Sequence, residues 1–291
     1  MFFFRPTSAV IRRWDSGDGA ASMTLLCPVH GCRLPLRREA RRLICRRRHA
    51  FDIARSGYVN LLQPQERRSR RPGDTAAAVE ARRRVLARGF AAPLVDAVVD
   101  LLTIAPDDAV LDVGCGEGHH LAAIAGRLGC RASGIDISVA AIDAAAAWHP
   151  RLQWVVANAD RFVPYAKASF RAVVSITARM NPAEFRRVLR DDGTLLVAVP
   201  APDDLIELRE AILGEGVRRD RVERTIATFA PLFTLERRRR VCRVAHLDPA
   251  AVADVMTSSY RELRARARAR LASIGDMDVT LGHDVLVFRP A

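Results

Sequence analysis

The chain has 291 residues, 49% of them hydrophobic, and a net charge of +13 at pH 7. That length holds one large domain and a small accessory one, and no apolar run approaches the ~20 residues of a membrane-spanning helix. The excess of base is almost all arginine, Lys167 being the single lysine, so its placement says more than its total.

Residues 1–22 begin with three phenylalanines but turn at once to charge and glycine. They lack the long apolar centre and small-residue cleavage site of a signal peptide. They read as a disordered tail, or as the result of a start codon upstream of Met23, and cytoplasmic residence is expected. Next come LCPVHGCRLPL (26–36) and ICRRRHAF (44–51). Cysteines grouped this closely in a cytosolic protein point to metal rather than disulfides. Cys27, Cys45 and His49 are three ligands for a tetrahedral Zn²⁺, and the fourth is Cys32 or His30. A closed four-ligand set is structural, and a segment with this little apolar surface needs its metal to fold. Cys115, Cys130 and Cys242 read as packing residues.

Between Arg33 and Arg71 stand thirteen arginines against three acids, Glu39, Asp52 and Glu66. A block this basic is an electrostatic footprint for phosphate, and Arg46, Arg47, Arg48, Arg67, Arg68 and Arg70 are its candidate contacts. Residues 75–104 alternate charged and apolar groups at helical spacing, which predicts two helices with a break at Gly89 and Pro93.

The run VLDVGCGEGHH (110–120) predicts a buried strand, a turn with Gly114, Gly116 and Gly118, and a helix from about His119. Glycine lets the backbone turn sharply and a ligand approach without a Cβ in the way. Asp136 closes the next strand, eighteen residues after Gly118, where a carboxylate can accept hydrogen bonds from both ribose hydroxyls of a nucleoside. Dinucleotide sites share that geometry with GxGxxG spacing. Here the spacing is GxGxG with Glu117 inside the loop, and a carboxylate there repels a pyrophosphate but suits a sulfonium and an amino group. The loop resembles the S-adenosylmethionine loop of class I methyltransferases. That resemblance implies a cofactor held by Asp112, Gly114, Gly116, Glu117 and Asp136, with Asn158 and Asp160, at the end of the third strand, near its adenine. Strands are expected at 109–113, 132–136, 153–157, 171–176 and 194–199 with helices between, the rhythm of a parallel sheet. A helix at 203–213, a basic strand at 236–245, a helix at 249–270 and a strand at 279–288 complete the chain. The expected fold is α/β: a Rossmann-like class I methyltransferase domain with a seven-stranded, mostly parallel sheet, plus a small N-terminal zinc-binding domain.

Phe51 to Leu62 reads FDIARSGYVNLL, followed by Pro72-Gly73-Asp74 and Glu80-Ala81-Arg82-Arg83. A zinc knuckle, this segment, PGD, ARR and a GxGxG loop, in that order, resemble the 23S rRNA (guanine-N1)-methyltransferases, a family that includes macrolide-resistance members. The resemblance covers roughly residues 24 to 288. It implies a zinc-binding, RNA-recognising module at 23–65, a helical linker at 66–104 and a methyltransferase domain at 105–291. It also implies S-adenosylmethionine and structural zinc as cofactors and 23S rRNA as partner, and it leaves a homodimer open. It favours Cys32 over His30, because Arg33-Leu34-Pro35-Leu36 follows Cys32 as the second ligand is followed in that family. Three places depart from it: Phe90-Ala91 replaces a later aromatic, only Asn181-Pro182 survives of the turn after the fourth strand, and a histidine common after the fifth strand is replaced around Asp203-Asp204. The N1 position lies on the Watson–Crick edge, so the base must be exposed before attack and must lose a proton to some base, which these motifs do not name. The competing expectations are methylation of another RNA or a small molecule, and an inactive RNA-binding assembly protein.

Overall fold

A computed structural model describes residues 23–66, 73–214, 216–259 and 265–291. The expected tail at 1–22 and Arg67, Arg68 and Arg70 lie outside the described residues. The N-terminal segment forms β1 (Arg37–Glu39), β2 (Arg42–Ile44), β3 (Ala50–Asp52) and the short β4 (Val59–Asn60). Two helices follow, α1 (Ala76–Ala87) and α2 (Ala92–Leu101). The chain then alternates through β5 (Ala109–Val113), α3 (His119–Leu128), β6 (Arg131–Asp136), α4 (Val139–Trp148), β7 (Gln153–Val156), β8 (Phe170–Ile176), α5 (Pro182–Val188) and β9 (Leu189–Pro200). It continues with α6 (Ile206–Leu208), which passes into a π-helical turn at Arg209–Leu213, then α7 (Val222–Phe229) and the long β10 (Phe233–Leu247). It ends with α8 (Pro249–Ser259), α9 (Ala265–Ala272) and β11 (Met277–Pro290). The helix expected at 249–270 is thus described as two, with 260–264 outside the described residues.

β1, β2 and β3 make a small antiparallel sheet. The large sheet runs β10-β11-β9-β8-β5-β6-β7-β4, parallel from β9 to β4, with β11 antiparallel to both β9 and β10. Parallel strands are covered on both faces and therefore read as continuous apolar runs, and all five residues of β5 are buried. Side-chain caps start the crossover helices: Ser138 accepts from the Ala141 amide at 3.2 Å and Thr75 from the Ala78 amide at 3.2 Å, each of the kind worth ~1 kcal/mol.

The sheet has eight strands where seven were expected. The extra one is β4, which leaves the zinc segment and pairs in parallel with the edge strand β7 (Val59 opposite Val155, Asn60 opposite Val156). An open edge at β7 leaves backbone groups to be satisfied, and the Leu61 amide continues the ladder to the Val156 carbonyl at 2.9 Å. Two residues are too short for alternation to register. The same junction carries packing: Leu25, Cys27, Leu36, Leu43, Val59 and Leu61 belong to one hydrophobic cluster with Ile135, Val155, Val163 and Tyr165. The N-terminal segment shares its interior with the large sheet.

Candidate active site and metal centre

The knuckle brings Cys27, Cys32, Cys45 and His49 together, their ligand atoms all within 4.8 Å of one another. Cys32 Sγ stands 3.8 Å from Cys45 Sγ, and His49 Nδ1 stands 3.3 Å from Cys27 Sγ and 3.5 Å from Cys45 Sγ. A tetrahedral Zn²⁺ with its usual bond lengths has edges of roughly 3.8 Å between sulfurs and 3.6 Å between sulfur and nitrogen, so the donor set fits zinc, with Nδ1 as the imidazole donor. His30 is exposed and outside the cluster. Burial pushes the Cys27 thiol up to about 12, further raised by the neighbouring sulfurs. A metal is what would stabilise its thiolate.

The second site is built where β5 and β6 end. Gly118, at φ +79°, opens α3, and a Cβ there would come within 2.3 Å of the buried Trp154 ring. Gly116, at φ +55°, faces Arg82, whose guanidinium a Cβ would approach to 3.1 Å. Asp136 braces the loop: one carboxylate oxygen accepts from the Gly116 amide at 3.0 Å and the other from the Ser138 amide at 2.8 Å. Each of those oxygens keeps acceptor capacity for a ribose hydroxyl.

Asp112 is buried and lines the cleft, and its Oδ1 has no hydrogen-bond partner among the described residues. Burial pushes its carboxyl up to about 8, with Asp136 and Glu117 adding to the rise. A buried, unpartnered carboxylate beside two others suits a cationic ligand, and the amino group and sulfonium of S-adenosylmethionine satisfy that requirement. Glu117 lines the cleft with one oxygen taken by Arg82 from α1 at 3.1 Å, and the same guanidinium pairs with Asp74 at 2.5 Å. Burial raises the Glu117 carboxyl, partly offset by Arg82. Arg82 and Asp74 were legible in the sequence as family markers but not as site residues, because nothing in a spacing rule says that α1 folds back over the loop.

Asn158 and Asp160 both line the cleft. The Asn158 amide donates to the Glu66 carbonyl at 3.4 Å, and its oxygen accepts from the Asp160 amide at 3.2 Å. Asp160 forms an ion pair with Arg179 at 3.5 Å. Asn181 caps α5 and also donates to the Ala159 and Asp160 carbonyls at 3.0 and 3.1 Å, locking the loops after β7 and β8 together. The whole cleft encloses about 820 Å³ and reaches from these loops to Asp204, Arg209 and His283.

Charge is sorted differently over the two ends of the chain. Arg46, Arg47 and Arg48 are exposed in the turn between Cys45 and His49, with Arg47 donating to the Gly31 carbonyl at 2.9 Å. Arg33 instead packs its guanidinium on the Phe162 ring, 3.1 Å from its centroid, and so helps dock the knuckle. The basic run of β10 is engaged internally: Arg238 and Arg240 pair with the buried Asp284 at 3.1 and 2.8 Å, and Arg239 with Asp100 at 3.1 Å. No described helix is long and apolar enough to cross a membrane.

Residues 110–193 match a family model described as a methyltransferase domain, and residues 25–70 match one described as the RlmA N-terminal zinc ribbon. The 23S rRNA (guanine(748)-N(1))-methyltransferase of Streptomyces fradiae is 35% identical over 276 residues, 91% of this chain and 96% of the relative. A Bacillus subtilis (strain 168) relative, provisionally assigned as a 23S rRNA (guanine-N(1)-)-methyltransferase, is 34% identical, covering 84% of this chain and 90% of its own. In fold, the chain resembles the methyltransferase in a complex with the Trm112 activator of Haloferax volcanii, at 20% identity and a TM-score of 0.51 over 75% of this chain and 98% of that one. With a knuckle suited to zinc joined to a glycine-loop cleft suited to a sulfonium cofactor, this chain belongs to the 23S rRNA (guanine-N1)-methyltransferases.

Proposed function

We propose that the protein transfers a methyl group from S-adenosylmethionine to N1 of a guanine in a 23S rRNA hairpin. The observation that carries this is the pairing, within one chain, of a zinc ribbon and a methyltransferase cleft, aligned over 96% of a relative named for that reaction. When bound, the cofactor supplies a methyl group already activated on a sulfonium, so positioning the base contributes most of the remaining rate. On this reading Asp136 binds the ribose, Asp112 the amino group, and Asn158 with Asp160 flank the adenine. Gly114 and Gly116 make room for Ala178 and Arg82 so that the loop can close around the nucleoside, and Glu117, braced by Arg82, joins Asp112 at the cationic end of the cofactor.

Cys27, Cys32, Cys45 and His49 hold a structural zinc, and the module at 23–65 presents Arg46, Arg47 and Arg48 to RNA phosphate, joined by Arg67, Arg68 and Arg70. Residence in the cytoplasm, where ribosomal RNA is found, follows from that substrate. Incubating the purified protein with 23S rRNA transcripts and labelled S-adenosylmethionine tests the assignment. An N1-methyl group blocks Watson–Crick pairing, so primer extension should stop beside one guanine of a hairpin. Label incorporated without such a stop would move the reaction to another atom.

A further inference from the structure

The cleft continues past the cofactor loop to a pocket over the carboxyl end of β9 and the neighbouring amino-terminal half of β11, and two polar side chains there have no structural task that uses all of their atoms. Asp204 lines the cleft in the loop after β9. Its Oδ1 accepts from the Gly282 amide of β11 at 2.9 Å, while no described residue donates to its other oxygen. Arg209, 8% exposed, lines the same cleft. Its Nη1 and Nη2 donate to the Val217 and Pro202 carbonyls at 2.9 and 3.4 Å, and its buried Nε has no partner among the described residues. An anchored carboxylate with one oxygen unpartnered is an acceptor suited to the Watson–Crick edge of guanine, with the fixed positive charge of Arg209 near it. That edge offers N1–H and N2–H as donors and O6 as an acceptor.

We propose that Asp204 is the base that accepts the N1 proton of the target guanine, with the fixed charge of Arg209 beside it. The inference rests on the guanine-N1 reading above. In the step, the N1–H bond breaks and its proton passes to the open Asp204 oxygen. The N1 electron pair forms the bond to the methyl carbon, the carbon–sulfur bond breaks, and its electrons stay on sulfur as a neutral thioether. The charge that spreads to O6 during proton transfer is offset by the fixed charge of Arg209. Asp204 later returns its proton to water.

The neighbours explain why Asp204 and not another group fills this role. Burial pushes its carboxyl up to about 6, while the Gly282 amide, Arg209 and Arg221 hold it down and Asp203 raises it. A base in that range is ionised at neutral pH and still takes up a proton readily. His283 on β11 and His120 on α3 line the cleft too, but burial pushes them down to about 4 and 3, too weak to compete. Cys242 on β10, exposed rather than packed as expected, and Glu207 on α6 share the acidic side of the neighbourhood, and partial desolvation with Asp203 raises the Cys242 thiol. Phe90, also at the cleft, supplies an aromatic face for an exposed base.

The test uses the full zinc-loaded chain, a 23S hairpin transcript and two readouts. In single-turnover methylation, the wild-type rate should rise with pH and level off above about 6. Asp204→Asn keeps an oxygen for Gly282, so cofactor and RNA affinities should stay within about threefold while the rate falls about 10²–10⁴-fold and the inflection disappears. Asp204→Glu should restore part of the rate. The second readout needs no methyl transfer. Hairpin binding to wild-type protein saturated with S-adenosylhomocysteine, measured calorimetrically at pH 6 in two buffers, should release up to about a quarter of a proton as the base edge favours the ionised carboxylate. Asp204→Asn should release none. A variant rate within threefold of wild type at every pH overturns the assignment, and so does hairpin binding by the wild type without proton release between pH 5 and 7. If the wild type places its methyl elsewhere than guanine N1, the functional reading itself fails, and Asp204 loses its role with it.

Discussion

In the metal centre three sulfurs and an imidazole converge with no cationic side chain among the ligands, whereas in the cofactor cleft Asp74 and Glu117 converge on the Arg82 guanidinium, with Asp112 and Asp136 beside them. Both sites concentrate groups that repel one another once ionised. The cleft carries its own counter-charge and can fold before any ligand arrives. The knuckle's ligands are three thiols and an imidazole with the turn arginines Arg46, Arg47 and Arg48 held out in solvent, so its geometry depends on a metal. The shared cluster that runs from Cys27 and Cys45 to Ile135 and Tyr165 then ties the fate of the knuckle to that of the sheet.

Removing the metal tests that tie most severely. Chelation, or Cys45→Ser, should lower the unfolding free energy of the whole chain by more than about 3 kcal/mol, seen as one thermal transition moved down. Two transitions, with the second unmoved, would separate the module from the sheet. Arg82→Met removes the cation from the other site. With Glu117 only 4% exposed at its side chain, this should cost about 2–4 kcal/mol in urea unfolding and weaken cofactor binding. Unchanged stability would mean that the carboxylates hold their own protons instead.

Asp136→Ala should lower cofactor affinity tenfold or more, since a charged acceptor for two hydroxyls is worth about 1.5–3 kcal/mol. An unchanged dissociation constant in calorimetry would disqualify the loop as a nucleoside site. A subtler effect follows from Asp112. Its carboxyl near 8 is raised above the ordinary value, so the cofactor-free protein loses stability as pH rises from the usual carboxylate range through 8. A bound ammonium favours the ionised form, so cofactor affinity should climb severalfold from pH 6 to 8 with release of up to one proton. Flat affinity in Asp112→Asn, beside a rising wild type, would match this expectation; a rise in both would assign the proton elsewhere.

The smallest effect concerns RNA. Arg46→Ala should reduce the slope of log affinity against log salt by about 0.7–0.9 and leave cofactor binding alone. A solvated basic turn would leave the slope unchanged.

The sequence alone carried the parallel sheet, because β5 through β9 are apolar runs whose burial on both faces is written in composition. It carried the glycine loop and Asp136, whose chemistry is local to two strand ends. It named Cys27, Cys45 and His49 outright, and left Cys32 and His30 for a resemblance to separate. Folding then decided what depends on residues far apart in the chain. Arg82 reaches Glu117 across thirty-five positions, Trp154 fills the space under Gly118, and β4 completes an edge that its own two residues could not announce. Asp204 is anchored at the cleft only when β11 brings Gly282 against the loop after β9. Short-range pattern records which surface a segment must bury; the partner across a cleft is chosen by topology, and a spacing rule has no term for it.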